Sequence, residues 1–293
     1  NWLQGRTAAE ACLFLLQAIK VAENNTGVPD HWRQALASNL VHVLRIQRGD
    51  GNLGSYFDFD SGEVEIWEGA GSVLWIATLV EAWRQSGSPE QLTCAVRAAD
   101  YYAQFVEDEY IYGAPEDVHL TPTSEDGYNA LMAYWALHKA TGEERYLELA
   151  RKAADWALSF RWCYNVEFSD QTILGKYDYR TRGGDLASPC NQHLHTYGLI
   201  CIPEMLELSR AIADPYYLQR AYDNLAHALQ FIAREDGDFG ARKGMISEQF
   251  YHTDWWQPKG HLLSLAHCWT NGLLLYACQW WRDHRDIFGE PPR

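Results

Sequence analysis

Apolar residues along this chain recur at helical spacing, and two kinds of helical stretch take turns. Residues 7–23, with Ala11-Cys-Leu-Phe-Leu-Leu16 at their centre, are apolar nearly all round, the mark of a helix surrounded by protein. After a turn at 24–29, Asp30 opens a stretch running to about Gln47 in which Trp32, Leu36, Leu40, Val43 and Leu44 form one stripe. Arg33, Gln34, Ser38 and Asn39 lie outside it, so this helix is amphipathic. The pattern repeats. Residues 69–83 are apolar, and Ser88-Pro-Glu-Gln91 opens an amphipathic partner with Ser88 as N-cap, Pro89 at N1 and Gln91 completing a capping box. Apolar 128–140 precedes amphipathic 145–160, apolar 194–212 precedes the stretch that Asp214-Pro215 begins, and 261–281 is apolar again. The spacing therefore predicts nine helices and no strand longer than short pieces such as 62–67, which suit a hairpin. Pro203 should kink its helix or mark a frayed start.

A repeat made only of helix pairs reads as a solenoid or a closed toroid, with buried helices inside and amphipathic ones outside. The expected fold class is therefore all-α: an (α/α) toroid of helical hairpins with about nine helices, which implies an open ring, the C-terminal part of a longer chain, or short helices hidden in the loops. The whole of 1–293 is expected to be one such domain. Inner-to-outer turns are short, whereas the returning connections at 48–68, 107–124, 161–190 and 235–260 are long. Connections of one kind lie at one end of antiparallel hairpins, and loops this long are usually functional. The expectation is one rim carrying all four loops.

Candidate chemistry follows from what those loops hold. Thr121-Pro-Thr-Ser-Glu-Asp-Gly-Tyr-Asn-Ala130 is where a polar connection becomes an apolar helix. Ser124 suits an N-cap there, and Glu125 and Asp126 fall on the first turn, where the helix dipole favours negative charge. Such carboxylates are either caps or acid/base groups projecting into a pocket. Glu68 is expected at the same place on the preceding inner helix, next to Trp67. The third loop brings Arg180 and Arg182, then His193 and His195; the fourth brings Glu248, Asp254, Trp255 and Trp256. Carboxylates, imidazoles and flat aromatics together are the ingredients of a sugar site, since hydrolysis of a glycosidic bond needs two carboxyl groups in different protonation states. The histidines equally suit loop carbonyls, and the paired tryptophans equally suit packing.

Composition narrows the partners. The chain is 47% hydrophobic and 14% aromatic, with 13 tryptophans and 17 tyrosines, ample for a large core and for stacking on sugar rings. A net charge of −15 argues against nucleic acid, and no apolar run reaches membrane-spanning length. Seven scattered cysteines, several inside apolar helical stretches, suggest a reducing compartment and hence the cytoplasm. Cys163, Cys190, His193 and His195 have zinc-compatible types but lack C-x₂-C spacing, so neither metal nor cofactor is expected. The sequence says nothing of oligomeric state.

Gln47-x-x-x-Asp-Gly51, Ala140-Thr-Gly-Glu-Glu-Arg-Tyr-Leu147 and Asp214-Pro-Tyr-Tyr-Leu218, set between alternating helices, resemble the six-hairpin glycosidase superfamily, which includes unsaturated glucuronyl hydrolases and related uronidases. The resemblance covers most of the chain and implies an (α/α) toroid with its site in the cavity at one rim. It also implies an aspartate as general acid/base, for which Asp126 is the position to compare. A complete six-hairpin toroid has twelve helices, three more than expected here.

The expected function is a glycosidase for uronate-containing oligosaccharides. Asp126 or Glu125 would be one carboxyl group and Glu68, Glu248 or Asp254 the second. Arg180, Arg182, His193 and His195 would bind the sugar, and Trp67, Tyr128, Trp255 and Trp256 would line it. A polysaccharide lyase using Tyr197, His193, Asn191 and Arg182, a sugar epimerase using two histidines, and a non-catalytic carbohydrate-binding toroid are the alternatives.

Overall fold

The computed structural model describes residues 2–113, 120–190, 193–251, 261–263 and 267–292. The chain divides into two compact units: Asn1–Pro122 with Asn129–Ala153, and Thr123–Tyr128 with Ala154–Arg293.

The first unit opens with β1 (Trp2–Gln4), α1 (Gly5–Glu23) and α2 (Asp30–Ile46). A small antiparallel sheet of order β1-β2-β3 follows, made with β2 (Tyr56–Asp58) and β3 (Val64–Ile66), so the short alternating stretch does form a hairpin. Then come α3 (Trp75–Ser86) and α4 (Pro89–Glu107), the body of α5 (Ser124–Thr141) and most of α6 (Glu144–Ser159). α1 packs on α2 and α3, and α3 on α4, around Leu13, Leu16, Ile76, Leu79, Val80, Ala95, Ala98 and Tyr102. α1 is less enclosed than its sequence suggests, because Val21 is 63% exposed. The Gln47-to-Gly51 motif has a plain structural reason. Gln47 Nε2 donates to the carbonyls of Gly51 (3.2 Å) and Cys94 (2.9 Å), and Gly51, at φ +101°, leaves no room for a β-carbon against the Arg97 carbonyl.

Two capping expectations need correcting. Gln91 closes no capping box: its Oε1 accepts from Ser86 Oγ at 2.8 Å. α3 begins at Trp75, not Gly69. Gly69 turns the chain at φ +85°, Ala70 N–H donates to the Tyr112 carbonyl at 2.6 Å, and two further turns are closed before the helix starts. Glu68 therefore belongs to a connection rather than to the first turn of a helix.

The second unit contains the first turn of α5, the end of α6, α7 (Ile173–Lys176), β4 (Asp185–Leu186), β5 (His193–His195) and a 3₁₀ turn at Tyr197–Cys201. It continues with α8 (Ile202–Ala211), α9 (Pro215–Leu229), β6 (Gln249–Tyr251), β7 (His261–Leu263), α10 (His267–Asp283) and α11 (Arg285–Phe288). β4 to β7 form an antiparallel sheet in that order. Its strands take residues 194–195 and 261–263 out of stretches whose sequence predicts helix. The period is two here: Leu194 and Phe250, register partners with no exposure, bury one face, while His193, His195 and Tyr251 share the other. Pro203 occupies the second position of α8 behind the 3₁₀ turn, so it marks a frayed start and no kink. Asp214 caps α9, its carboxylate accepting from Tyr216 N–H at 2.9 Å. Among the described residues, nine helices have ten residues or more.

Candidate active site

The opening of α5 is held from two directions within the second unit. Thr123, not Ser124, is the N-cap: its hydroxyl oxygen accepts from Asp126 N–H (3.2 Å), and its O–H donates to Asp126 Oδ2 (2.8 Å). Asp126, 1% exposed, is thereby occupied as a capping carboxylate. Ser124 is freed from that task. Its N–H donates to the Ala187 carbonyl just after β4 (3.1 Å), and its hydroxyl meets His195 Nε2 of β5 at 3.0 Å.

Glu125, 8% exposed, lies between those anchors with Oε1 at 3.9 Å from His195 Nδ1. The imidazole tautomer follows from its neighbours. Tyr197 N–H donates to Nδ1 at 3.3 Å, so the ring proton sits on Nε2 and is directed at Ser124 Oγ. Ser124, His195 and Glu125 are therefore no nucleophilic triad, because the imidazole gives a proton to the serine instead of accepting one. What remains is a nearly buried carboxyl group beside an imidazole held by Ser124 and the Tyr197 backbone.

Aromatic rings complete this neighbourhood. His193 lies 5.8 Å from His195 and 5.9 Å from Tyr251, ring centre to ring centre. His195 stacks on Tyr197 (6.3 Å), and Tyr197 on Trp269 of α10 (5.5 Å). Tyr197 is fully buried, whereas Trp269 is half-buried, so part of its indole remains accessible.

A buried ionic cluster is built on β4, beside the strand that carries His195. Arg161, one residue past a helical turn that ends α6, donates to both oxygens of Asp185 (2.7 and 3.0 Å), to Tyr128 OH (2.6 Å) and to the Arg220 carbonyl (3.0 Å). Asn224 Nδ2 adds a bond to Asp185 Oδ2 at 3.1 Å. Both ion-pair side chains are 2% exposed or less. Burial works against the guanidinium charge, but Asp185 beside it more than offsets this and raises the arginine above its ordinary range. Burial also lifts the Tyr128 hydroxyl well above a normal phenol, partly countered by Arg161. Tyr128 is therefore a fixed structural donor and acceptor in this cluster.

The other sequence candidates are placed elsewhere. Arg180 is exposed and pairs with Asp178 at 2.7 Å; Arg182 is half-exposed and pairs with Asp223 at 3.1 Å. Glu248 is half-buried just before β6. In the first unit, Glu68 is exposed and accepts from Tyr112 OH at 3.3 Å, while Arg48 lies over the Trp67 ring at 4.9 Å. Asp254, Trp255 and Trp256 fall outside the described residues. Among the described residues no group of three His, Cys, Asp or Glu is arranged to hold a metal ion, and Cys163 and Cys190 are exposed. No described helix is long and apolar enough to cross a membrane. Arg161, Trp269 and the role of Ser124 were missed by sequence reasoning. For Arg161 a signal existed, a lone cation in the run Phe160-Arg-Trp162.

The family model of the β-L-arabinofuranosidase GH127 catalytic domain matches residues 14–173, more than half of the chain. The chain belongs to that family. It is a glycoside hydrolase domain. None of the curated proteins compared matches it. Among solved structures it is similar to a sugar epimerase from a ruminal bacterium, at 13% identity and a TM-score of 0.64 over 97% of this chain and 72% of that one. A cellobiose 2-epimerase from Spirochaeta thermophila matches at 13% identity and a TM-score of 0.62 over 99% and 71%. A glycoside hydrolase family 76 mannosidase from Bacteroides thetaiotaomicron matches at 13% and 0.54 over 97% and 71%. At such identities the likeness speaks to the fold alone, which is the (α/α) toroid class of helical hairpins, as its sequence predicts.

Proposed function

We propose that this GH127-family domain cleaves a terminal sugar from an oligosaccharide with Glu125 as its general acid. The observation that carries this reading is the division of labour at the α5 opening. Asp126 is engaged by Thr123, whereas Glu125 is directed at His195 and keeps a small exposed edge. Burial disfavours a charged carboxylate, which suits a group that must hold a proton until it is needed. In the reaction Glu125 gives its proton to the glycosidic oxygen as the bond to the sugar carbon breaks; water then adds its hydroxyl to that carbon, and its second proton returns to the Glu125 carboxylate. His195 flanks the carboxyl, and the accessible part of the Trp269 indole offers an apolar surface for sugar C–H groups.

The family name supports a β-L-arabinofuranoside as substrate. A uronate is the second reading: a solved structure of an unsaturated glucuronyl hydrolase with dGlcA-Glc-Rha-Glc has a TM-score of 0.56 at 14% identity over 89% of this chain and 70% of that one. Arg180 and Arg182 are the cations that would hold its carboxylate, and both are already paired with aspartates, so we place the neutral sugar first.

The test compares Glu125→Gln with Asp126→Asn on methyl β-L-arabinofuranoside, whose alkoxide leaving group must be protonated, and on an unsaturated uronide. The expected result is a loss of about 10³-fold in kcat for Glu125→Gln. Asp126→Asn should keep most of the activity and lose stability instead. Full activity of Glu125→Gln would overturn the assignment, and turnover of the uronide alone would reverse the order of substrates.

A further inference from the structure

We infer that the buried Arg161–Asp185 pair is a positioning device that sets the distance between Glu125 and His195. This rests on the reading of Glu125 as the general acid. One guanidinium ties α5 and α9 to β4, the strand beside the one that carries His195. Its Nη2 donates to Tyr128 OH, one turn along α5 from Glu125, and its Nε and Nη2 grip Asp185 of β4. Asp185 is in register with His195 on β5. Two residues further on, Ala187 accepts from Ser124 N–H and donates its own N–H to the His193 carbonyl at 3.0 Å. Arg161 Nη1 and Asn224 tie the same cluster to α9.

Space has been kept for this grip. A β-carbon on Gly198 would collide with Asp185 Oδ2 and Arg161 Nη2. A slip of β4 by one residue would turn Asp185 to the other face of the sheet and part it from Arg161, so the pair locks the register that His195 depends on. Stability is a poor explanation for such an arrangement. Buried ion pairs replaced by apolar groups of similar size are often neutral or stabilising, because desolvation offsets much of the attraction. A positioning role accounts for two-point geometry where bulk packing would not, since a small misplacement of a reacting group is costly in rate.

The experiment uses the full chain and three variants: Arg161→Met/Asp185→Leu, Tyr128→Phe and Glu125→Gln. Melting temperature, kcat, KM and the pH–rate profile are measured with methyl β-L-arabinofuranoside, whose leaving group must be protonated. The double variant should melt near the wild type, lose about 30-fold in kcat with KM within about twofold, and show a displaced acid limb. Wild-type kcat and pH profile in a stably folded double variant would overturn the inference. If the double variant does not fold, Tyr128→Phe decides, since it keeps the ring and removes only the hydroxyl. About a fivefold drop in kcat with a shifted profile supports positioning, and no change in either refutes it. Glu125→Gln separates the two ideas. If it is inactive while the double variant is fully active, only the positioning role fails; if it is fully active, the assignment of the acid has failed by itself.

Discussion

Two helix openings in this chain look alike in sequence and have little in common in structure. Glu68 and Glu125 each end a long polar connection and precede an apolar helix. Glu125 is the second residue of α5, almost buried, 3.9 Å from an imidazole. Glu68 is exposed, seven residues ahead of α3, its carboxylate accepting from the Tyr112 hydroxyl at 3.3 Å. The difference lies in what fixes the start of the helix. At α5 a threonine cap and a backbone bond from Ser124 to Ala187 begin the helix at once, so the next carboxylates are carried inward with it. At α3 a glycine with positive φ and a bond from Ala70 to Tyr112 keep the chain turning for six more residues. A carboxylate near a helix becomes a candidate for chemistry only when a second strand of backbone holds that opening in place.

The largest expected contrast is in ionic anchoring. Arg161→Met alone strips Asp185 of its partner in a buried site, and a loss of about 3–5 kcal/mol is expected. Asp50→Asn, which removes the exposed Arg48–Asp50 pair near the other opening, should cost less than about 1 kcal/mol. Urea melts of both variants measure this directly. Equal losses would mean that the two openings are anchored alike.

Acid should sharpen the contrast next. His227, 1% exposed, packs against Phe231 and Phe250, the latter in register with Leu194 of β5. Burial is the main cause of its pKa falling from 6.5 to about 4, so at neutral pH it is uncharged in both folded and unfolded chains. Below about pH 6.5 the unfolded chain takes up a proton that the folded one refuses until about pH 4. Stability is therefore lost as pH falls through that window, by about 3 kcal/mol in all, and is flat above it on this account. His227→Asn keeps an amide N–H for the Arg180 carbonyl, which His227 Nδ1 meets at 3.1 Å, and cannot titrate. Denaturation midpoints from pH 4 to 8 should show a shallower slope for the variant than for the wild type. Parallel curves would remove His227 as the cause.

Much of this was legible before the structure. Nine helices, the short and long connections and the Asp214 cap all follow from periodicity and turn chemistry, because helices here are long and their caps are local. The four-stranded sheet was not legible. Each strand has two or three residues, too few for alternation to announce itself, and β5 and β7 lie at the heads of apolar stretches that read as helix. The site suffered from the same cause. Glu125 and His195 were both noted from sequence, but their pairing depends on β4 and β5, and Arg161 pairs with a residue 24 positions away. Long-range register of that kind leaves no mark in a local window.

The smallest effect separates the two openings by their caps. Thr123→Ala removes a hydroxyl that both accepts from Asp126 N–H and donates to its carboxylate, so α5 should lose about 1 kcal/mol. Glu68→Gln keeps the shape of an exposed side chain and can still accept from Tyr112, and it touches no helix terminus, so its change should stay within about 0.5 kcal/mol. The pair is informative because Glu68 was expected on a first helical turn, whereas Thr123 makes the bonds of a cap. If Glu68→Gln cost as much as Thr123→Ala in the same urea titration, the connection before α3 would be bearing helix-cap strain after all, and the distinction drawn from Gly69 and Ala70 would fail. A threonine variant that loses stability and also shifts the pH–rate profile would show that the cap reaches Glu125 through Asp126, since the two carboxylates are adjacent on one turn of α5.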